Sequence, residues 1–318
     1  MVAQSQDEFK KCAGEKIQSS GNFFVDRLLI IDGHAYAYRA FHAIRELRSP
    51  GGQPTNAIFA FVKMLAKMRQ AIQPTHLIVV WDGGLSAERL SLLPEYKAQR
   101  PAMPDDLSPQ LDGIAGYLSA AGVASFCGEG VEADDYIAGL ARRAADAGMA
   151  VVIASSDKDF MQLVSPRIGL LNPNDKSETI WTDEQVRAKA GVEPAQVVDW
   201  LSLMGDSVDN IPGVPGVGPK TAADLLKRFG SVSVLFGRLD EVKSEKLRAA
   251  LRDSVEAVRR NQKMVRLQEE LPRRFSPEEL TVKTEDVVRL RELYQRWGFN
   301  GMLAALPGPL RERQAVLI

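Results

Sequence analysis

Apolar residues follow two rhythms along the chain. In the first half they form short unbroken runs at 26–31, 75–81, 122–127 and 149–154, dominated by Leu, Ile and Val. Runs of this length without polar alternation read as strands covered on both faces. Between them, at 56–72, 107–121 and 133–147, apolar positions recur every three or four residues as in amphipathic helices, with Thr55 a candidate N-cap. The alternation predicts an α/β domain over 26–190, with a mostly parallel sheet flanked by helices. From about Val192 the strand rhythm stops, and helical spacing follows at 194–204, 220–229, 241–251 and 253–267. Residues 191–318 are therefore expected to form an all-helical second domain. Residues 84–106, rich in Pro, Ser and charge, fit neither rhythm and predict a long surface excursion. A polar tail is expected at 1–25.

A chain of 318 residues can bury two ordinary cores. Its apolar runs fall far short of the roughly 18 residues that argue for a membrane span. The first 24 residues mix Lys10, Lys11 and Lys16 with Asp7, Glu8 and Glu15 and hold no apolar stretch, so no signal peptide is expected. Cys12 and Cys127 are the two cysteines and have no paired metal spacing, which argues against zinc and against a disulfide framework. A cytoplasmic monomer without membrane association is the expectation.

Three strand runs end in acid. Asp32 follows Ile31, Asp82 follows Trp81, and Asp157 and Asp159 follow the run ending at Ala154. A fourth run, ending near Cys127, leads into Glu132, Asp134 and Asp135 at the start of a helical pattern, and Asp206 and Asp209 precede a glycine-rich turn. Each acid alone has a plainer reading as a turn former, a helix cap or a partner of a helix dipole. In a parallel sheet, however, the carboxyl ends of the strands share one edge, which is where open α/β folds place their sites. Nine carboxylates gathered there repel one another and call for cations. Oxygen-only ligands without His or Cys select hard ions, Mg²⁺ or alternatively Mn²⁺, and so many acids suggest two. The formal charge of −1 changes meaning accordingly. With those nine set aside, 32 acids face 40 Lys and Arg, a balance compatible with a nucleic-acid partner.

The run Gly213-Val214-Pro215-Gly216-Val217-Gly218-Pro219-Lys220-Thr221 joins two helical patterns through a tight turn. It looks like a helix-hairpin-helix. Gly213, Gly216, Val217 and Gly218 would let backbone approach a phosphate, with amides of the next helix, Lys220 and Thr221 beside it. A second basic stretch, with Arg259, Arg260, Lys263, Arg266, Arg273 and Arg274, is ordinarily a solvated helix face and is a weaker duplex candidate.

Taken together, Ile31-Asp32-Gly33 with Tyr38-Arg39, Trp81-Asp82, Tyr96-Lys97 with Arg100, Glu132-Ala133-Asp134-Asp135, Asp157-Lys158-Asp159, Gly205-Asp206 with Asp209-Asn210-Ile211-Pro212-Gly213, and the hairpin resemble one family. It is the 5′-nuclease domain of bacterial DNA polymerase I, with its phage and flap-endonuclease relatives. The resemblance runs from about Arg27 to about Leu306. It implies a PIN-like fold with a helical arch over the active site, and a metal-dependent 5′-to-3′ exonuclease and flap endonuclease acting on DNA in replication and repair. It also implies that Asp32, Asp82, Glu132 and Asp134 surround one ion and Asp157, Asp159 and Asp206 the other, with Asp135 and Asp209 acting through water. Lys97 would stabilise the scissile phosphate, Arg39 and Arg100 would position it, and the hairpin would grip duplex DNA with a K⁺ ion. One departure stands out: Glu88 precedes Arg89 where relatives carry an aromatic residue. The chain stops at Ile318, so it resembles the stand-alone members or a detached nuclease domain, without polymerase activity.

Overall fold

The computed structural model describes residues 26–173, 179–271 and 273–308. The tail expected at 1–25, with Cys12, lies outside them. In chain order the first part holds β1 (Arg27–Asp32), α1 (Gly33–Ala43), α2 (Asn56–Ile72), β2 (His76–Trp81), α3 (Ala87–Leu92), α4 (Ser108–Ala120), β3 (Ala124–Cys127), α5 (Ala133–Asp146), β4 (Ala150–Ala154), a 3₁₀ turn (Lys158–Leu163), β5 (Ile168–Leu171) and β6 (Ile180–Trp181). The second part holds α6 (Asp183–Ala190), α7 (Val197–Met204), β7 (Gly205–Asp206), β8 (Ile211–Pro212), α8 (Pro219–Phe229), α9 (Val232–Gly237), α10 (Glu245–Asp253), α11 (Val255–Val265), α12 (Pro277–Leu280), α13 (Val287–Trp297) and α14 (Asn300–Ala305). Among the described residues no helix is long and apolar enough to cross a membrane.

The six strands of the main sheet run β3-β2-β1-β4-β5-β6, parallel except for the last pairing. Every residue of β2 and β4 is buried, which explains the absence of polar alternation in the sequence. The strand period still sorts the side chains. Leu28, Ile30, Ile78 and Val80 face one core, while Leu29, Ile31, Leu77 and Val79 face the other. Strands β5 and β6 were not expected. Ile-Gly-Leu-Leu is too short a run to stand out, and β6 contributes two residues.

Helix α2 spans the predicted residues, but Thr55 does not cap it: its hydroxyl donates instead to the Leu47 carbonyl. The cap comes from α4, where Gln110 Oε1 accepts from the amides of Ala57 at 2.8 Å and Ile58 at 3.3 Å. Helix α5 joins the first core, and so do α6 to α11. The described residues beyond 191 divide between the two cores, however. Backbone bonds from Val282 to Thr75, Lys283 to Gly122 and Asp286 to Ala120 lead the chain back to the sheet. Leu290, Tyr294 and Trp297 of α13 then enter the second core, so the C-terminal helices of the described chain close the α/β domain.

The excursion at 84–106 also differs from expectation. Among its described residues it carries a single helix, the six-residue α3, and no extended helical arch. Pro94, Pro101 and Pro104 each remove a helical donor and limit longer helices. Arg89, Tyr96 and Lys97, read as surface residues, are buried to 4–5% exposure because carboxylates beneath them supply countercharge.

Two glycines hold the turn that carries Asp206. Gly205 has φ +73°, and a Cβ on Gly213 would lie 2.2 Å from the Met204 carbonyl. Gly213→Ala should therefore cost roughly 2–4 kcal/mol of stability, read as a lower urea midpoint, and should displace Asp206. An unchanged midpoint would contradict this packing.

Candidate metal centre

Strand order reverses between β1 and β4, and the crevice over that switch point is where the acids arrive. Asp32, the last residue of β1, is 7% exposed. Its Oδ1 accepts from the Ala35 amide at 3.0 Å, capping α1, and its Oδ2 accepts from Ser155 Oγ at 2.8 Å. Ser155 follows β4 and also accepts from the Asp157 amide, so one buried hydroxyl links the ends of two strands. Asp157 caps the 3₁₀ turn through the Asp159 amide. The cap reading and the site reading therefore both hold for these acids.

A cleft of about 930 Å³ opens here, lined by Asp32, Asp82, Asp134, Asp157, Asp206 and Asp209. Arg39 and Arg100 also face it. Six of the nine predicted acids thus meet. Glu132, Asp135 and Asp159 do not line the cleft. Glu132, 2% exposed, receives Arg89 at 2.9 Å, Tyr96 Oη at 3.1 Å, Lys97 Nζ at 2.8 Å and the Ser86 amide at 2.8 Å. Asp135 is held by Arg89 through both oxygens at 2.7 Å. Asp159 lies behind Asp157, and its Oδ1 is shut from solvent without a hydrogen-bond partner.

Charge crowding is visible in the proton affinities. Burial, opposed by the Ala35 and Ser155 bonds and reinforced by Asp157 and Asp82, pushes the Asp32 carboxyl up to about 6. Burial and neighbouring Asp157 raise Asp134 and Asp159 well above the ordinary carboxylate range, and burial raises Asp157. Glu132 goes the other way. Burial disfavours its charge, but Lys97 and Arg89 outweigh that and lower its pKa. Lys97 is buried yet kept charged above its ordinary range by Asp134 and Glu132.

Among the described residues no three acids are drawn tightly enough to form a coordination sphere by themselves. Basic side chains spread them instead. Lys158 Nζ pairs with Asp206 at 3.0 Å, Arg100 with Asp209 at 2.6 Å, and Lys97 lies 4.0 Å from Asp134. Lys97 was expected over the cleft but points down onto Glu132.

Sequence reasoning missed several participants. His34 Nδ1 accepts the Asp82 amide at 3.1 Å, and burial lowers its pKa. Its adjacency to Asp32-Gly33 was the available signal. Ser155 stands between the run ending at Ala154 and the Asp157-Lys158-Asp159 motif, a position with no signal of its own. Arg89 was noticed only for its neighbour. In the hairpin, Gly213 is packed against Met204, whereas Gly216, with φ +80°, and Gly218 have open space where a side chain would go. Val217 is buried, and Lys220 and Thr221 begin α8 just after Gly218 and Pro219. Of the weaker basic stretch, Arg259 pairs with Glu256 and Arg273 with Glu279, so neither is a free cation.

A parallel sheet with converging acids at its switch point, joined to a helical hairpin module, defines the class of carboxylate-dependent nucleases. Residues 27–191 match the family model "5'-3' exonuclease, N-terminal resolvase-like domain", and 192–287 match "5'-3' exonuclease, C-terminal SAM fold". The chain belongs to the 5′-3′ exonuclease family. It is 38% identical to a 5′-3′ exonuclease of Aquifex aeolicus, over 87% of this chain and 93% of that protein. It is 37% identical to DNA polymerase I of Bacillus caldotenax over 92% of this chain, and spans about a third of that relative's length. Among solved structures, the T5 D15 protein co-crystallised with metal ions aligns with a TM-score of 0.63 at 25% identity, covering 76% of this chain and 89% of that one. The catalytic core of Rad2 in complex with DNA substrate shares the fold, with a TM-score of 0.58 at 15% identity over 93% of this chain and 98% of that one.

Proposed function

We propose that the chain is a structure-specific 5′-nuclease that hydrolyses DNA at flaps and at single-stranded 5′ ends beside duplex, using two Mg²⁺ ions, in cytoplasmic DNA replication and repair. The observation that carries this reading is the meeting of Asp32, Asp82, Asp134, Asp157, Asp206 and Asp209 from separate chain segments in one cleft. The donor set fits hard cations. It is oxygen-only, burial with neighbouring acids raises the pKa of Asp32, Asp134, Asp157 and Asp159, and the buried Asp159 Oδ1 lacks a partner. Asp32, Asp82 and Asp134 would hold one ion, with Asp157, Asp206 and the reoriented Asp159 at the other. Bound divalent ions supply a low-pKa water and neutralise developing phosphoryl charge.

The chain's own residues supply the rest. Arg39 and Arg100 face the cleft and can grip a phosphate, Arg100 exchanging its bond to Asp209 for one to substrate. Lys97 adds fixed positive charge beneath Asp134, where it can offset charge building on the phosphate. The open backbone at Gly216 and Gly218, with the α8 amides, Lys220 and Thr221, suits a duplex phosphate contact that carries no sequence preference. A K⁺ ion bound there, and a monomeric state, complete the proposal.

End-labelled 5′-flap DNA incubated with Mg²⁺ should yield short 5′-phosphorylated products, chelator should stop the reaction, and an RNA flap of the same shape should be cut differently in rate. Cleavage that persists in excess chelator would sink the metal-dependent reading.

A further inference from the structure

Arg89 is the most completely satisfied charged side chain near the site. A guanidinium has five N–H donors. Here Nε donates to the Met264 carbonyl at 2.9 Å, Nη1 to Glu132 at 2.9 Å and Asp135 at 2.7 Å, and Nη2 to Asp135 at 2.7 Å and the Arg266 carbonyl at 3.2 Å. Those acceptors come from two places. Glu132 and Asp135 flank Asp134 at the start of α5, whereas the carbonyls belong to the end of α11 and the residues after it. The same stretch meets two other acid-bearing elements. Gln268 donates its amide to Asp135 Oδ1 at 2.8 Å. Gln162, in the turn that begins beside Asp157, donates to the Val265 carbonyl and accepts from the Leu267 amide.

We infer that Arg89 is a positioning residue that braces the acidic start of α5 against residues 264–268, and that Asp135 serves as its counter-ion and not as a water-mediated metal ligand. Both Asp135 oxygens are already engaged, one by Arg89 alone and one by Arg89 and Gln268, so this carboxylate has little capacity left for a hydrated ion. With Glu132 and Asp135 both clamped, Asp134 between them can present itself to the cleft in only a narrow range of directions. Because residues 264–268 are the end of α11 and the residues after it, the brace also joins the helical layer to the acids, so a shift of that layer on binding DNA would be felt at Asp134. Groups that orient ligands from outside the coordination sphere typically contribute 10- to 100-fold in metal affinity or activity.

The inference rests on the metal-dependent reading above, and its test separates the two. Mn²⁺ binding, titrated calorimetrically without DNA, would be measured for the wild type, Arg89→Lys, Asp135→Asn and the double variant, with kcat and KM on flap DNA alongside. Lysine keeps the charge that Glu132 needs but cannot reach both acids and both carbonyls. Each single variant should weaken the tighter ion about 10- to 100-fold, lower kcat with KM nearly unchanged, and recover rate at high Mn²⁺. The double variant should be no worse than the poorer single, as expected for two members of one device. Multiplying effects, or Asp135→Asn losing the ion while Arg89→Lys keeps it, would make Asp135 a ligand in its own right and overturn the inference. So would a lowered melting point with unchanged ion affinity. Should Arg89→Lys not fold, amide hydrogen exchange decides. Asp135→Asn should speed exchange at Leu267 and Gln268 together with the weakened ion binding, and weakened binding with unchanged exchange would overturn the brace. A wild type that binds no divalent ion would refute the functional reading instead.

Discussion

Asp134→Asn should lower flap cleavage by about 10³-fold or more while leaving DNA binding within a few-fold of wild type. Asp134 lies at the first turn of α5 and lines the cleft, and burial, reinforced by Asp157, Asp32 and Asp82 against Lys97, holds its pKa well above the ordinary range. Asparagine keeps the shape and one carbonyl oxygen but removes the charge that a divalent ion needs. Several kcal/mol of transition-state stabilisation go with the ion, and each 1.4 kcal/mol is about tenfold in rate. The hairpin carries the proposed duplex contact and is untouched, so affinity measured in chelator should survive. A variant that binds flap DNA normally and turns over at the wild-type rate would remove Asp134 from the chemistry.

The second large effect concerns stability, and its sign is opposite. Without divalent ions, Asp32→Asn should make the protein more stable at neutral pH. The Asp32 carboxyl is raised from its ordinary 3.8 to about 6, so the folded chain holds this proton more tightly than the unfolded chain does. Where the folded state binds more protons, stability falls as pH rises, here between about 4 and 6. Above that window the ionised group costs on the order of 1–3 kcal/mol, the lower end applying where the open cleft screens it. Asparagine can keep the cap to Ala35 through Oδ1 and can donate its Nδ2 to Ser155 Oγ, reversing that bond, while escaping the cost. Thermal denaturation in chelator should show the variant several degrees higher at pH 7.5 and nearly level with wild type at pH 4. Glu132 works in the reverse direction, since its lowered pKa adds stability above its ordinary range. Glu132 is retained in both proteins, so the difference between wild type and Asp32→Asn follows Asp32. Added Mg²⁺ should reverse the order by stabilising the wild type more. A variant less stable than wild type at pH 7.5 in chelator would show that the acids are not in conflict.

The α/β half was legible because its signals are local. A run such as Leu77–Trp81 declares a doubly covered strand by itself, and an acid at the end of each run marks the functional edge of a parallel sheet. The features that were not legible depend on partners far away in the chain. Gln110 caps a helix more than fifty residues earlier, and Arg89 meets carbonyls about 175 residues later. Neither partner has a side-chain signature. Arg89, Tyr96 and Lys97 sit in a charged, proline-rich stretch that reads as surface, yet the carboxylates that Arg89 and Lys97 neutralise, and that Tyr96 hydrogen-bonds, draw them inward. Short β5 and the return of α13 to the sheet were hidden for a related reason. Their apolar residues match a helix or loop equally well until the exposed face they cover is known. Strand ends point to Asp32, Asp82 and Asp157, and the structure brings these to one cleft with Asp134, Asp206 and Asp209, while the clamped state of Glu132 and Asp135 required coordinates.

The aspartates of this cleft, on the proposed function, exist as charges in order to hold divalent cations. Calorimetric titration of the metal-free protein with Mn²⁺ at pH 7.5 tests it without substrate. The wild type should bind two ions, Asp134→Asn should lose at least one, and proton release should accompany binding as the raised carboxyls ionise. A wild type that takes up no ion, or an Asp134→Asn variant with an isotherm indistinguishable from wild type, would contradict the account.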